Sequence, residues 1–166
     1  TTLLLFFTHG ATFLALKTDG KLQHDARRLA LRAGLVTLVV AAAFLAWTVI
    51  AHFSIVVLVL AALAAVSLVL SIVMNLWEGW AFGFGAATTM FAVVTLFAAL
   101  FPNVLPSTID PAFSLTIANA SSTQYTLTIM SWTALFAMPL VLLYQGWTYW
   151  VFRKRVTRAS IVGAPA

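Results

Sequence analysis

The sequence predicts an all-α, polytopic membrane helix bundle. It carries five transmembrane helices in this chain, the first truncated, with the N-terminus outside and the C-terminus cytoplasmic. Composition, charge placement and crossing parity support this. The 166 residues are 63% hydrophobic and 8% charged, with a mean hydropathy of +1.04, so the polar surface needed to cover a water-soluble core is missing. The basic residues form two clusters, Lys17, Lys21, Arg27, Arg28 and Arg32, then Arg153, Lys154, Arg155 and Arg158, and residues 33–152 contain neither Lys nor Arg. Such clusters beside apolar spans mark the cytoplasmic side. Two clusters on one side require an even number of crossings between them.

The opening segment, residues 1–16, is apolar and descends from outside into the first basic cluster. At about 1.5 Å per residue it reaches roughly 24 Å, short of a hydrocarbon core of about 30 Å. It has no initiating Met and no basic n-region, so it does not read as a signal peptide. The expectation is a fragment or processed chain whose upstream residues complete this helix. A cytoplasmic basic loop is expected over 17–33. The apolar run 33–75 would make roughly 64 Å of helix, too long for one span. The patch Ala51, His52, Phe53 and Ser54, where polar groups interrupt the run, divides it into spans of about 34–50 and 55–74.

Trp77 and Trp80 flank Glu78 in a short inner turn, as interfacial anchors do. A span over about 81–101 follows, and Pro102, Pro106 and Pro111 then open an outer Pro-rich loop, 102–124. The last span, 125–152, contains Pro139 and ends in an aromatic belt with anchors Trp147 and Trp150, ahead of a basic cytoplasmic tail, 153–166. Together these form a single membrane domain, 1–166, with four crossings between the clusters.

Several function classes fall away. A soluble enzyme is excluded by composition. Nucleic-acid binding is not expected despite a net charge of +5, because the charges sit at span ends. Without Cys there is no disulfide, thiolate metal site or cysteine nucleophile. No Asp, Glu, Lys or Arg falls inside a proposed hydrocarbon span, which disfavours a pump built from this chain alone. No catalytic and no metal-binding residue is assigned.

The polar groups left in the spans are His9, Gln145 and hydroxyls such as Thr37, Thr48, Ser67, Ser71, Thr88, Thr89, Thr95 and Ser131. Hydroxyls in membrane helices usually bond their own backbone or a neighbouring helix. His9 lies about 12 Å along the helix from Lys17, well inside the bilayer. It is a candidate quinone or haem contact, or a packing residue satisfied by a neighbouring helix. Gly79 and Gly83 make a GxxxG spacing in a small-residue face, a candidate for subunit or helix packing. Pro139 should kink its helix and free the carbonyl near Leu135, which favours a buried position. Asn119-Ala120-Ser121 is a glycosylation sequon with no functional weight.

The stretches Thr8-His9-Gly10-Ala11-Thr12-Phe13-Leu14 leading to Lys17-Thr18, Trp80-Ala81-Phe82, Phe101-Pro102 with Leu105-Pro106-Ser107, Gln124-Tyr125-Thr126-Leu127 running to Trp132, and Leu143-Tyr144-Gln145-Gly146-Trp147-Thr148-Tyr149-Trp150 occur in order. Together they resemble subunit II of the bacterial cytochrome bd quinol oxidase, and the chain is similar to its C-terminal part, the last five membrane helices. The resemblance implies a multi-pass protein of the bacterial cytoplasmic (inner) membrane, within a complex that oxidises quinol and reduces oxygen to water. It implies no cofactor in this chain, with haems b and d in the haem-bearing subunit I that it packs against. Lipid, quinone and small accessory membrane subunits are further candidate partners, and acidic residues for proton delivery would lie upstream. The expected role is a haem-free structural partner that also lines an oxygen or quinone/lipid pocket. The rival expectation is a fragment of a small polytopic transporter for an apolar solute, gated by Pro139 and the outer loop.

Overall fold

The computed structural model describes residues 1–157, and Arg158 with the rest of the expected tail lies outside them. The chain is helical almost throughout. The long elements are α1 (Thr2–Lys17), α2 (Gly20–Ala51), α3 (Ile55–Val73) and α4 (Glu78–Leu100), followed by a short α5 (Ile117–Ala120) and a long α6 (Gln124–Val151). Four of them, α2, α3, α4 and α6, are long and apolar enough to cross a membrane, whereas α1 has only 16 residues. The protein is a multi-pass membrane helix bundle.

Contacts divide the chain into two compact units: residues 1–101 with Arg155 and its described successors, and Pro102–Lys154. In the first unit α1 packs most closely on α2, and α3 on α4. The α1–α4 and α2–α3 contacts close four helices around one interior. That interior is built from small residues: Ala11, Ala15, Ala26, Ala30, Ala41, Ala61, Ala64 and Ala81 are buried beside Thr8, Thr37, Ser67, Thr88 and Thr95. Phe6, Phe7, Trp47, Val59, Val66 and Phe97 point outward. Small residues inside let helix backbones approach closely where lipid gives no hydrophobic drive for association. Large apolar residues outside are what lipid solvates.

One boundary differs sharply from expectation. α2 begins at Gly20, so most of the expected basic loop 17–33 is helix and the connection from α1 is only Thr18 and Asp19. From Lys21 to Arg32 the sequence offers Lys, Leu, Gln, Ala and Arg, all good helix formers, and no Gly or Pro to stop it. At 32 residues α2 extends about 48 Å, so its charged first turns project beyond a core of about 30 Å. The turn is set by Asp19, whose carboxylate accepts from Gly20 N at 2.7 Å, and by Gly20 in the left-handed region at φ 68°. The break at 52–54, the turn before α4 and the start of α6 fall within a few residues of the expected positions.

In the second unit the Pro-rich segment is more ordered than an open loop. β1 (Asn103–Leu105) pairs antiparallel with β2 (Leu115–Thr116), and Asn119 closes a capping box with Thr116 and donates to Ser114 O. The sequon asparagine therefore braces the loop. α6 runs through Pro139 without interruption and buries none of its residues. Pro139, expected to be buried, is exposed among the described residues.

Candidate functional site

Two polar arrangements stand out in the four-helix unit. The first surrounds Glu78. Glu78 opens α4, where the helix dipole favours a carboxylate. Gln23 and Arg27 are four residues apart and so share one face of α2. Both reach the same oxygen: Gln23 Nε2 donates to Glu78 Oε1 at 2.7 Å, and Arg27 Nη2 donates to it as well. Arg155 Nη2 donates to Oε2 at 3.1 Å. The segment that carries Arg155 is tied down beside it, with Val156 N donating to Lys17 O at 2.8 Å and Arg155 Nη1 to Thr18 O at 3.4 Å. Asn75 Nδ2 adds a 3.4 Å bond to Arg27 O.

The Glu78 side chain is only 9% exposed, against 21% for Arg27 and 41% for Arg155. The Arg27 pair is therefore the desolvated one, and the Arg155 pair is screened. This node was not singled out among the expected site residues. Its signal was present: Glu78 is the one carboxylate in the apolar stretch up to Phe101, and it falls on the same side as the first basic cluster. What sequence could not supply was the continuation of α2 as helix, which brings Gln23 and Arg27 over the start of α4.

The second arrangement lies within the bundle around His9. His9 stacks on Phe82 of α4, with ring centroids 4.4 Å apart and planes at 23°. Its Nδ1 is turned toward Gly85, where a Cβ would sit 2.8 Å from it and 3.4 Å from Ser71 Oγ. Hydroxyls collect nearby. Thr8 and Thr37 hydrogen-bond at 2.8 Å, Ser71 donates to Ala81 O at 2.8 Å, and Thr88 donates to Ser67 Oγ at 3.1 Å. Thr37, Thr48, Ser67, Thr88, Thr89, Thr95 and Ser131 each bond the carbonyl four residues back, as anticipated for hydroxyls in lipid.

Gly79 and Gly83 are exposed, with open space where a Cβ would be; the close helix approaches use Gly85 and Gly34 instead. Trp77, Trp80, Trp147 and Trp150 are all largely exposed at helix ends, and the Arg153 guanidinium lies 5.2 Å from the Trp150 ring centre. Among the described residues no three His, Cys, Asp or Glu side chains come together as a metal cluster.

The family profile described as cytochrome bd terminal oxidase subunit II matches residues 1–152. The chain belongs to that family. It is 38% identical over 164 residues to the cytochrome bd ubiquinol oxidase subunit 2 of Bacillus subtilis, covering 95% of this chain and 48% of that protein. It is 31% identical over 193 aligned positions to the cytochrome bd-I ubiquinol oxidase subunit 2 of Escherichia coli, covering 95% of this chain and 51% of that one. A shorter likeness, 34% over 80 residues, joins 48% of this chain to 20% of a probable cytochrome oxidase subunit 2 of Haemophilus influenzae. The chain thus spans about half the length of the B. subtilis and E. coli subunits. The cytochrome bd resemblance drawn from the short motifs holds across nearly the whole chain, and the proteins it resembles are subunits of an oxidoreductase complex.

Proposed function

We propose that this chain is part of the second subunit of a cytochrome bd-type terminal oxidase, which couples quinol oxidation to reduction of oxygen to water, and that it serves there as a haem-free scaffold against the haem-bearing subunit. The observation that carries this reading is the family match over residues 1–152. The complex sits in the bacterial cytoplasmic membrane, with both basic clusters inside and the start of α1 outside. Haems b and d belong to the partner, and small accessory membrane subunits, lipid and quinone are further neighbours.

The chain's own work is to hold shape and exclude water. Glu78 joins α2, α4 and the Arg155 segment at one end of the bundle, and the large outward apolar side chains offer surface to lipid and to a neighbouring subunit. The uncovered Gly79 and Gly83 suit close approach by a helix of that neighbour. An apolar cavity of ≈ 70 Å³ is lined in part by Leu5, Phe6, Phe44, Leu45, Leu68 and Leu96. It is about half the size of the roughly 150 Å³ apolar cavity that holds benzene, so it suits a small solute such as oxygen better than a quinone ring.

The test is to purify the full-length protein in mild detergent, identify what travels with it, and record optical spectra of the complex and the separated subunit. Co-purification of a haem-bearing membrane protein, with quinol oxidase activity and no Soret band on the separated subunit, is the expected result. A Soret band that stays with this subunit and is lost in His9→Leu would overturn the haem-free role. A lone, colourless species that moves solute into vesicles would overturn the oxidase reading.

A further inference from the structure

His9 Nδ1 is buried and meets no hydrogen-bond partner among protein atoms. Leaving such a nitrogen unsatisfied costs on the order of 1–3 kcal/mol. Beside it lies a hollow of ≈ 10 Å³ whose wall includes Thr8, Thr12, Thr37, Ser71, Gly85 and Thr88. The hydroxyls on that wall have committed their protons. Thr12 donates to Thr8 O and Ser71 to Ala81 O, Thr88 divides its proton between Phe84 O and Ser67 Oγ, and Thr37 has Ala33 O and Thr8 as acceptors. Thr8 is engaged with Leu4 O and with Thr37. Each hydroxyl has one proton and two lone pairs, so the wall offers the hollow acceptors and few donors. A nitrogen lone pair facing such a wall finds nothing to accept from.

We infer that the hollow is the site of a single ordered water molecule that hydrogen-bonds His9 Nδ1 and donates to a wall hydroxyl, Ser71 Oγ being placed for it 3.4 Å from the spot where a Gly85 Cβ would sit. Water carries two donors and two acceptors, so it serves His9 in either tautomer. The volume decides what else could bind. One water needs about 10–15 Å³ of such space, which the hollow just provides, and any ligand of several heavy atoms is excluded. The same geometry explains Gly85. A methyl group there would lie 2.8 Å from Nδ1, too close for the ring to keep its position and for water to sit beside it. The water links His9 of α1 to Ser71 of α3 beside Gly85 of α4, and it satisfies this buried nitrogen of a half-buried ring. This site is independent of the oxidase reading.

A map of the full-length protein in lipid nanodiscs, sharp enough to show ordered water, tests it. One density peak within hydrogen-bond distance of both His9 Nδ1 and a wall hydroxyl is expected. A dry hollow, or an imidazole turned so that Nδ1 bonds a protein atom directly, overturns it. Solid-state NMR with ¹⁵N-labelled histidine gives a second reading. A cross-peak between water and a buried imidazole nitrogen should be absent in His9→Phe, weakened in Ser71→Ala and lost in Gly85→Ala, while the His24 and His52 signals stay unchanged. Absence of that peak from the native protein, or its persistence in His9→Phe, overturns the site without touching the oxidase assignment.

Discussion

Glu78 shows how much can hang on one side chain in a membrane protein. Its carboxylate is nearly enclosed and draws donors from Gln23, Arg27 and Arg155. Removing its charge leaves Arg27 without a counter-ion in a poorly solvated place, a loss worth up to about 3–5 kcal/mol for a buried pair. Glu78→Gln is therefore expected to lower the thermal midpoint of the purified protein substantially. A double-mutant cycle with Arg27→Gln should give a larger coupling than one with Arg155→Gln, because Arg155 is much more exposed. Equal couplings would show that exposure does not rank these pairs. The glycines separate in the same way: Gly85→Ala meets His9 at once, whereas Gly83→Ala meets open space, so only the first should destabilise the isolated subunit. Gly83→Leu should instead reduce recovery of the assembled complex, which pull-down of the haem-bearing partner would measure.

At the scale of elements, the α1–α2 turn and the apolar cavity give further expectations. Gly20 is the sole described residue at positive φ, and Asp19 caps the helix that follows. Gly20→Ala forces a side chain into the left-handed region and should cost about 1–2 kcal/mol, read as a drop in the midpoint of chemical or thermal unfolding. If the cavity beside Leu45 and Leu68 conducts oxygen, narrowing it with Ala92→Leu, at a half-buried wall position, should raise the KM for oxygen several-fold and leave kcat nearly unchanged. An unchanged KM would remove the cavity from the route. The helices themselves were largely legible, since their ends coincide with polar breaks at His52 to Ser54, the Trp77–Glu78 turn and Pro102. The start of α2 was not. The positive charges at 17–32 mark a side of the membrane, but charge says nothing against helix, and the stop signal lies at Thr18–Gly20.

For the whole molecule, the side on which each segment lies is the decisive expectation. Because these 166 residues contain no Cys, single substitutions among them report side without background from this stretch. Lys21→Cys and Lys154→Cys should react with a membrane-impermeant maleimide only from the cytoplasmic face, and Ile109→Cys, 89% exposed in the outer segment, only from the opposite face. Labelling of residues 21 and 154 from different faces would break the parity on which the topology stands.

The amino-acid order alone determined that this chain lives in lipid, roughly where it crosses, and which family it joins. Those properties follow from long apolar runs, clustered charge and short motifs, each local in the chain. Only the tertiary structure decided which polar groups meet. The Glu78 node joins residues 51 and 77 positions apart, and the hollow at His9 draws on four helices. Such meetings depend on helix rotation and length, and a glycine without a side chain, such as Gly85, gains its meaning from the ring that packs against it.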